Sequence, residues 1–506
     1  MAFLRREKRE APPPPSQPTS RPWPRERVDE AEWSGLFHEI AKGASDMLSL
    51  WSDGEAVYVA LYTEAAGVRI VSLDCVDGAF PSAGRHHPPA IRLERAICDL
   101  YGLEATGAAD RRRWLDHGRW GVRSPLGRRE ALDTNSDAYA FLPVEGPIHQ
   151  IPVGPVHAGI IEPGHFRFSA NGETVVRLEE RLGFVHKGVN RLMTGASIER
   201  AGKLAARVSG DSTVGYGVAF THAVEAALGV EAPPRALYLR VLMAELERLA
   251  NHFGDIGAIC NDAAFSLMHA HTSVVRERIL RACAACFGHR LMMDSVIPGG
   301  VSTDLTPEGM TALRELIDWI RLLLPRLVAV YGDTTSLQDR TVATGVVSRE
   351  LVAQYACGGF IGRASGRRFD ARRAIGYAAY PALSFEVGAA TEGDVDARVW
   401  VRFDEVKASL QIVEQVLDLL PHGSIAQELP SSDGQRREGA ALVEGFRGDI
   451  FAWVRIGDGG TVETAHLRDP SWFQWPLLEA AIKGNIVADF PLCNKSFNCS
   501  YSGHDL

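Results

Sequence analysis

The chain has 506 residues, enough for two to three domains with sizeable hydrophobic cores. With 46% hydrophobic and 23% charged residues it has the composition of an ordinary soluble globular protein, and its net charge of -9 argues against a general nucleic-acid binder. Eight scattered cysteines are too few for a disulfide scaffold, no stretch reaches the ~20 apolar residues that span a bilayer, and the N-terminus lacks a secretory signal. These features predict a cytoplasmic protein.

The segment 1–30 is rich in proline and arginine and poor in aliphatic side chains. Such a segment buries too little apolar surface to order itself, so we predict a disordered tail over residues 1–30. The alternative is a basic arm that becomes ordered against a partner subunit.

Residues 31–125 are predicted to form a small α+β domain. The segments EAVYVALY and GVRIVSLD alternate as paired strands do around a turn at Gly67. The next segment, AIRLERAICDLYGLEATG, shows helical periodicity before it stops at glycines. Residues 126–145 are dense in turn-forming residues and are predicted to be a linker.

Residues 146–506 are predicted to form a mainly helical domain, which makes the chain α+β overall. The domain opens with a β-hairpin, HFRFSANGETVVRLEE, in which Asn171 and Gly172 suit a type I′ turn because both central residues need positive φ. Apolar residues at helical spacing then predict long helices over residues 213–228, 235–260, 265–293, 307–331 and 402–420.

Four stretches carry candidate chemistry. Cys283 and Cys286 stand three apart in a helical run, where such residues are usually core residues, with a metal-ligand pair as the alternative. The loop RVSGDST offers Ser212 or Asp211 as the N-cap of the following helix. The loops GRASGRRFDARRAIGY and VEGFRGD place arginines beside glycines, where they either reach into an anionic cavity or form a solvated face. The sequence contains neither the standard nucleotide-binding loops nor a nucleophile elbow.

A series of motifs resembles one family, in the same order along the chain. They are IPVGPVHAGIIEPGHFRF (151–168), GFVHKGVNRL (183–192), RVSGDSTVGYGVAFTHAVE (207–225), IPGGVSTDL (297–305), GRASG with DARRAIGY (362–377), EGFRGD (444–449) and KGNIVADFPL (483–492). Residues 151–506 resemble the large subunit of membrane-bound, energy-converting NiFe hydrogenases of the formate hydrogenlyase type, and the homologous forty-nine-kilodalton subunit of respiratory complex I. Residues 31–125 resemble the thirty-kilodalton subunit of complex I through LERAICDLYGLEATGAADRRRWL (93–115), and the fusion of both modules is found in the family.

The resemblance implies that the metal centre of the hydrogenases is missing here. That centre needs four cysteine thiolates as soft ligands, and the matching positions of this chain are Ser209, Ser212, Ser500 and Gly503. The proton-relaying glutamate of the family's R-G-x-E motif is replaced by Asn190. We therefore expect no metal.

The C-terminal segment FNCSYSGHDL is expected to lie beside the loop 209–212 and to close the former metal cavity. A different metal held by Cys493, Cys499 and His504 is the alternative, at borderline ligand spacing.

The complex I relatives bind a quinone headgroup through a tyrosine and a histidine. The tyrosine position is occupied by Phe220 here, which has no hydroxyl, and His157 matches the first histidine of the corresponding loop. The resemblance places the following candidate residues near the emptied cavity: His157, His165, His186, Tyr216, Phe220, Arg363 and Arg447.

The function that the resemblance implies is that of a metal-free large subunit in a membrane-associated oxidoreductase complex, taking part in electron transfer coupled to ion translocation. The alternatives are a structural or regulatory subunit with a vestigial redox cavity, and an active NiFe hydrogenase with unusual ligands. This chain is expected to bind no cofactor itself, with quinone as a candidate ligand and a 4Fe–4S cluster in a partner.

The partners that the resemblance implies are a small iron–sulfur subunit of the twenty-kilodalton type, a ferredoxin-like iron–sulfur subunit and antiporter-like membrane subunits, without nucleic acid. Through them the chain would be peripheral on the inner face of the cell membrane.

Overall fold

The computed structural model describes residues 20–127, 131–132, 139–157, 161–431 and 434–506. Residues 1–19 of the predicted tail, and residues 128–130 and 133–138 of the predicted linker, lie outside this part. Within it, no helix combines the length and the apolar character that crossing a membrane requires.

The N-terminal part contains a small α+β module, as predicted. Its elements are β1 (Ser20–Arg21), β2 (Arg25–Arg27), α1 (Glu30–Ala41), β3 (Asp46–Ser52), β4 (Ala56–Thr63), β5 (Gly67–Asp74), β6 (Ala79–Pro81), α2 (Ile91–Tyr101), β7 (Glu104–Thr106), β8 (Val122–Arg123) and β9 (Ala131–Leu132). Four strands form a sheet in the order β2–β5–β4–β3, in which the predicted pair β4–β5 is antiparallel. The predicted helix α2 ends where Gly102 adopts the left-handed conformation.

The prediction of a disordered tail is wrong from residue 20 onward. Strand β1 pairs in parallel with a C-terminal strand, where Ser20 lies opposite Glu438. Strand β2 pairs in parallel with β5, and Arg25 also donates to the Glu438 carboxylate at 2.8 Å. Two existing sheet edges thus offer backbone hydrogen bonds to a segment that has little apolar surface of its own.

The second part opens with an antiparallel sheet of β10 (His149–Val153), β11 (His165–Asn171) and β12 (Thr174–Arg181). The predicted hairpin is confirmed, but the predicted type I′ turn is wrong. Asn171 pairs with Thr174, so the central turn residues are Gly172 and Glu173, and of these only Gly172 has a positive φ. This matches a type II′ turn, which needs glycine only at its first central position.

Helices dominate the middle of the chain. They are α3 (Val189–Met193), α4 (Ile198–Ala205), α5 (Thr213–Leu228), α6 (Pro234–Asp262), α7 (Ser266–Phe287), α8 (Pro307–Asp333), α9 (Thr335–Thr341), α10 (Arg349–Gln354), α11 (Gly359–Ala364), α12 (Ala371–Ala374) and α13 (Val395–Leu419), with the short strands β13 (Val296–Ile297) and β14 (Gly300–Val301) between α7 and α8. The five predicted long helices are confirmed, although α7 ends at Phe287 and not at 293, because Gly288 adopts the left-handed conformation. Helix α13 begins seven residues before its predicted start at 402, because Asp394 caps it, and its first turns bury Arg398 and Arg402 together with apolar residues.

The C-terminal part contains a four-stranded sheet that we did not predict. Its elements are β15 (Arg437–Gly445), β16 (Gly448–Ile456), β17 (Val462–Arg468), α14 (Ser471–Ala481), α15 (Phe490–Phe497) and α16 (Tyr501–Asp505). The sheet has the order β1–β15–β16–β17. Strands β15 and β16 are buried along nearly their whole length, so they lack the alternation of apolar and polar residues that identifies a half-exposed strand.

The N-terminal module packs directly on this C-terminal sheet. Trp51 of β3 is 2% exposed, and its ring centroid lies 5.1 Å from that of Phe451 and 5.7 Å from that of Trp453, both on β16. Beside these rings Arg455 pairs with Asp53 of the N-terminal module at 2.7 Å. Apolar and ionic contacts therefore hold the two parts together.

Replacing Trp51 with alanine should lower the free energy of unfolding by about 3–5 kcal/mol, because a buried aromatic ring is lost and a cavity remains. Urea denaturation followed by circular dichroism measures this change. Val76→Ala is the control, since Val76 is 70% exposed and its truncation should change stability by less than about 0.5 kcal/mol. Equal stability of the two variants would contradict the shared core.

Candidate functional site

The four positions that match the hydrogenase metal ligands converge at one place. The Ser500 hydroxyl lies 3.2 Å from the Ser209 hydroxyl and accepts a hydrogen bond from the Gly503 amide at 2.8 Å. The chain returns to the loop 209–212 because Asn498 ends α15 in the left-handed conformation, after which Ser500 caps α16. The expected position of the C-terminal segment is thus confirmed.

An ion pair occupies the space between these positions. Arg447, in the turn between β15 and β16, makes a bidentate contact with Asp211, with nitrogen–oxygen distances of 2.9 and 2.6 Å. The same guanidinium donates to the Ser212 hydroxyl at 3.1 Å, and the Ser209 hydroxyl donates to Asp211 at 2.7 Å. Burial disfavours ionisation of Asp211, but the Arg447 charge and these hydrogen bonds outweigh burial and lower its pKa to about 2.

A second carboxylate closes the site beside Gly503. The Tyr216 hydroxyl donates to the Asp469 carboxylate at 2.6 Å, and burial together with the Asp469 charge raises the pKa of Tyr216 well above its usual range. A Cβ atom placed on Gly503 would lie 2.3 Å from an Asp469 carboxylate oxygen. The site therefore has no room for a side chain at position 503, and hydroxyl groups cannot replace thiolates. The residues present do not fit a NiFe centre.

The predicted N-cap of α5 is replaced by a more distant residue. Ser212 stands at the cap position, but its side chain makes no capping bond and donates to Asp211 instead. The carboxylate of Glu247, on α6, accepts the amides of Val214 and Gly215 at 2.7 and 3.0 Å. Glu247, on another helix, thus accepts the otherwise unpaired amides at the start of α5. The Ser212 side chain can therefore form hydrogen bonds within the site.

A cavity of about 290 Å3 opens beside this cluster. Its wall is polar and is formed by Ile161, Glu162, Ser209, Gly210, Asp211, Arg447, Asn494, Lys495, Asn498, Cys499, Ser500, Tyr501 and Ser502. Burial raises the pKa of the Cys499 thiol well above its usual range, so the thiol stays protonated. The cavity can hold a small polar molecule. The Arg447 guanidinium in its wall is already neutralised by Asp211.

The three candidate histidines are held away from this wall by bonds to the backbone. His157 contacts the Gly164 carbonyl at 2.8 Å, and His165 contacts the Gly154 carbonyl at 3.2 Å. His186 contacts the Asp505 carbonyl at 2.7 Å and stacks on the Trp120 ring at 4.6 Å. These rings position the loops that surround the site.

Phe220 and Arg363 lie in the protein core. Phe220 is 1% exposed on α5, and Arg363 is fully buried on α11. Arg363 pairs with Glu405 at 2.6 Å and with Glu444 at 2.9 Å. The solvated face proposed for its loop is therefore wrong at Arg363, because two buried carboxylates neutralise the guanidinium.

The alternative metal ligands do not assemble. Cys493 lies against Gly345, whereas His504 stacks on Trp472 at 4.0 Å. The Trp114 indole donates to one His504 nitrogen and Asp505 accepts from the other, so both ring nitrogens are engaged. In the described ranges no group of three or more His, Cys, Asp or Glu residues could hold a metal ion.

The cysteine pair on α7 is confirmed as part of the core. Cys283 and Cys286 are both buried there, and burial raises the pKa of each thiol.

Sequence reasoning missed three residues of the site. Asp469 and Glu247 carry no local motif, and Asp211 was considered only as a helix cap. Each acts through a partner that is distant in sequence, so spacing alone contains no signal for these contacts.

Comparison with known proteins agrees with this architecture. The family model described as "Respiratory-chain NADH dehydrogenase, 49 Kd subunit" matches residues 262–439, and the "30 Kd subunit" model matches residues 40–136. Formate hydrogenlyase subunit 5 of Escherichia coli (strain K12) is 30% identical over 450 residues, covering 86% of this chain and 78% of that protein. The carbon monoxide-induced hydrogenase of Rhodospirillum rubrum is 30% identical over 351 residues, covering 69% of this chain and 97% of that protein.

A solved structure of a membrane complex also contains a chain that is similar to this one. It is titled "Structure of the membrane-bound sulfane sulfur reductase (MBS), an archaeal respiratory membrane complex", and one of its chains superposes with a TM-score of 0.67 and 26% identity, covering 72% of this chain and 100% of that chain. The chain belongs to the family of membrane-bound hydrogenase large subunits and complex I 49 kDa subunits, in the form that carries an N-terminal 30 kDa-type module.

Replacing Arg363 with alanine should lower the free energy of unfolding by about 3–5 kcal/mol, since it removes the nearest guanidinium from the buried carboxylates of Glu405 and Glu444. Chemical denaturation measures the loss. Arg368→Ala is the matched control, because Arg368 is exposed in the same loop and its removal should change stability by less than about 0.5 kcal/mol. An unchanged free energy of unfolding in Arg363→Ala would show that the buried ion pairs do not stabilise the fold.

Replacing Asp211 with asparagine should destabilise the protein in a pH-dependent way. The folded pKa of Asp211, about 2, lies below the ~3.9 of an unfolded chain, so its ionisation stabilises the fold above about pH 4 and this contribution is lost as the pH falls toward 2. Urea midpoints of both proteins at several pH values should therefore converge below about pH 4.

Asp77→Asn tests the specificity of that effect, because Asp77 is exposed. This exposed substitution should change stability by less than about 0.5 kcal/mol. A constant gap for Asp211→Asn across this range would contradict the ionised pair with Arg447.

Proposed function

We propose that this chain is a metal-free large subunit of a membrane-associated oxidoreductase complex and takes part in electron transfer coupled to ion translocation. The observation that carries the proposal is the convergence of Ser209, Ser212, Ser500 and Gly503 at one site, where hydrogen bonds join three of them and none offers a thiolate. This convergence supports the match of the four positions to the family's metal ligands, and none of them offers the soft donor that a NiFe centre needs.

Electrons would arrive from a 4Fe–4S cluster in a partner, the small iron–sulfur subunit. The cavity beside Ser500 would receive the acceptor, and its polar wall favours a small polar molecule over an apolar one. The related structure is titled as a sulfane sulfur reductase, which supports the use of this fold with acceptors other than protons. Quinone stays a candidate acceptor, although the tyrosine of the complex I site is Phe220 here.

Attachment to the membrane would be indirect, through antiporter-like partner subunits that carry out ion translocation. Two observations support this arrangement. The described residues contain no helix suited to spanning a bilayer, and one relative, of Pyrococcus furiosus, is named as the alpha subunit of a membrane-bound hydrogenase.

A structural or regulatory role with a vestigial cavity is the second candidate. The observation that favours it is the engagement of Arg447, which donates to Asp211, to Ser212 and to the Asn498 carbonyl. A guanidinium with its donors occupied in this way can serve the fold without binding a substrate.

Purification of the intact complex tests the proposal. We expect iron–sulfur and membrane subunits to copurify with this chain, and elemental analysis to find iron but no nickel, because the site lacks thiolates. Nickel at one atom per chain would overturn the metal-free assignment, and recovery of the chain without either kind of partner would overturn membership of such a complex.

Arg447→Gln separates the two candidate functions. If the cavity takes part in electron transfer, electron flow from reduced methyl viologen through the assembled complex should fall at least about tenfold, as expected when a positioned charge is lost from an active site. Arg368→Gln is the control and should keep full flow. An assembled Arg447→Gln complex with unchanged flow would favour the structural role.

A further inference from the structure

Two carboxyl groups share one guanidinium between β12 and α14. Arg92, on α2, contacts the Glu180 carboxyl group at 3.2 Å and the Glu479 carboxyl group at 2.7 Å. A single guanidinium neutralises one carboxylate, and burial strongly disfavours a second ionised carboxyl group that has no cation of its own. One of the two carboxyl groups therefore holds a proton.

The contacts of the two groups identify Glu180 as the one that holds this proton. Glu479 accepts a second hydrogen bond, from the Glu180 amide at 2.8 Å, and its side chain is 20% exposed, so it is the better place for the negative charge. Glu180 is fully buried, and its Oε1 atom has no hydrogen-bond partner among the described residues. Burial and the Glu479 charge outweigh Arg92 and raise the pKa of Glu180 well above its usual range.

The Glu180 side chain packs near the C-terminal segment. Glu180 lies directly opposite Phe166 in the β11–β12 ladder, so both side chains are on one face of the sheet. The Phe166 ring centroid lies 6.1 Å from that of Trp475, and the Trp475 indole donates to the Ser500 carbonyl at 3.3 Å. Trp475 also stands one helical turn before Glu479 on α14. The elements that hold Glu180 therefore also hold the segment that borders the cavity.

Cys499 lines the cavity and is affected by the charge of Glu180. Burial raises the pKa of the Cys499 thiol most, and an ionised Glu180 raises it further, with the largest effect of any charge. The thiol therefore stays protonated when Glu180 gives up its proton, and a thiol can both donate and accept a hydrogen bond. The other titratable groups around Glu180 are Arg92, Tyr355, Glu479 and Tyr501 on the packed elements, and Glu179 and Arg181 on its own strand.

We propose that Glu180 stores the proton that accompanies electron transfer to the acceptor in the cavity beside Ser500, and that the Cys499 thiol delivers it. This proposal rests on the function proposed above and specifies the acceptor as an uncharged molecule that takes up two electrons and two protons. For each electron from the partner's 4Fe–4S cluster, the thiol gives its proton to the acceptor, the O–H bond of Glu180 breaks, and that proton restores the thiol. The carboxylate that remains faces Arg92 and regains a proton from solvent through the partly exposed Glu479.

Urea denaturation of the full-length chain tests the proton on Glu180 without any electron transfer. Glutamine has the shape of the protonated acid and no charge, so Glu180→Gln should keep the fold. Because the folded pKa of Glu180 lies above the ~4.3 of an unfolded chain, its stabilising contribution is lost as the pH rises. The urea midpoint of Glu180→Gln should therefore rise relative to that of the unmodified chain between about pH 4 and about pH 7.

Glu173→Gln is the control for both measurements, because Glu173 is exposed in the turn of the same hairpin, and it should leave the midpoint nearly unchanged. A Glu180→Gln midpoint that falls relative to the unmodified chain over the same range would show an ionised Glu180 paired with Arg92. That result would overturn the proposal.

Electron flow from reduced methyl viologen to duroquinone through the assembled complex tests the delivery of the proton. Glu180→Gln should lower this flow about a hundredfold, as expected when a proton donor is lost, and should abolish its decline with rising pH. Cys499→Ala should cause a similar loss, whereas Cys499→Ser should keep the flow, because a hydroxyl group also passes a proton. Glu173→Gln should keep full flow.

The outcomes separate this proposal from the function on which it rests. An assembled Glu180→Gln or Cys499→Ala complex with unchanged flow would overturn proton delivery by these residues and leave electron transfer at the cavity in place. Absence of duroquinone reduction by the unmodified complex would instead overturn electron transfer to an uncharged acceptor, while the urea midpoints would still decide whether Glu180 holds the proton.

Discussion

Burial of charge is the constraint on which the rest of this structure depends. Arg248, Arg363 and Arg372 are almost completely buried, and each pairs with at least one buried carboxylate, from among Glu245, Asp370, Glu405 and Glu444. These groups come from α6, α11, α12, α13 and β15, or from residues directly beside them. A buried charge without its partner costs several kcal/mol, so these elements have few alternative arrangements.

This network also positions the candidate site. Arg248 donates to the backbone carbonyls of Glu444 and Gly445 at 2.8 and 2.9 Å, at the end of β15. Arg447 follows in the next turn and reaches Asp211 from there. The ion pair between Arg447 and Asp211 therefore takes its position from the charged core. The buried ion pairs and their hydrogen bonds to β15 hold this part of the chain in place.

The C-terminal segment closes the same site from the other side. Asp505 accepts the amides of Gly183 and Val185 at 2.9 and 3.0 Å, and the Leu506 carbonyl accepts those of Lys187 and Gly188 at 2.8 and 3.0 Å. The segment 183–188 leads into α3, which carries Asn190. Backbone contacts thus hold the C-terminal segment and the segment 183–188 together beside the site.

Local patterns in the sequence determined the long helices and the first hairpins. Helix α5 and strand β4 were predictable because apolar spacing and glycine stops act over a few residues. The tertiary structure alone decided that Ser20–Arg27 joins two sheets, that β15 and β16 form a buried sheet, and that Arg363 serves the core. It also paired Arg447 with Asp211, 236 residues away in sequence. Such contacts depend on neighbours that are distant along the chain, and the charge and burial that they create are properties of the packed protein.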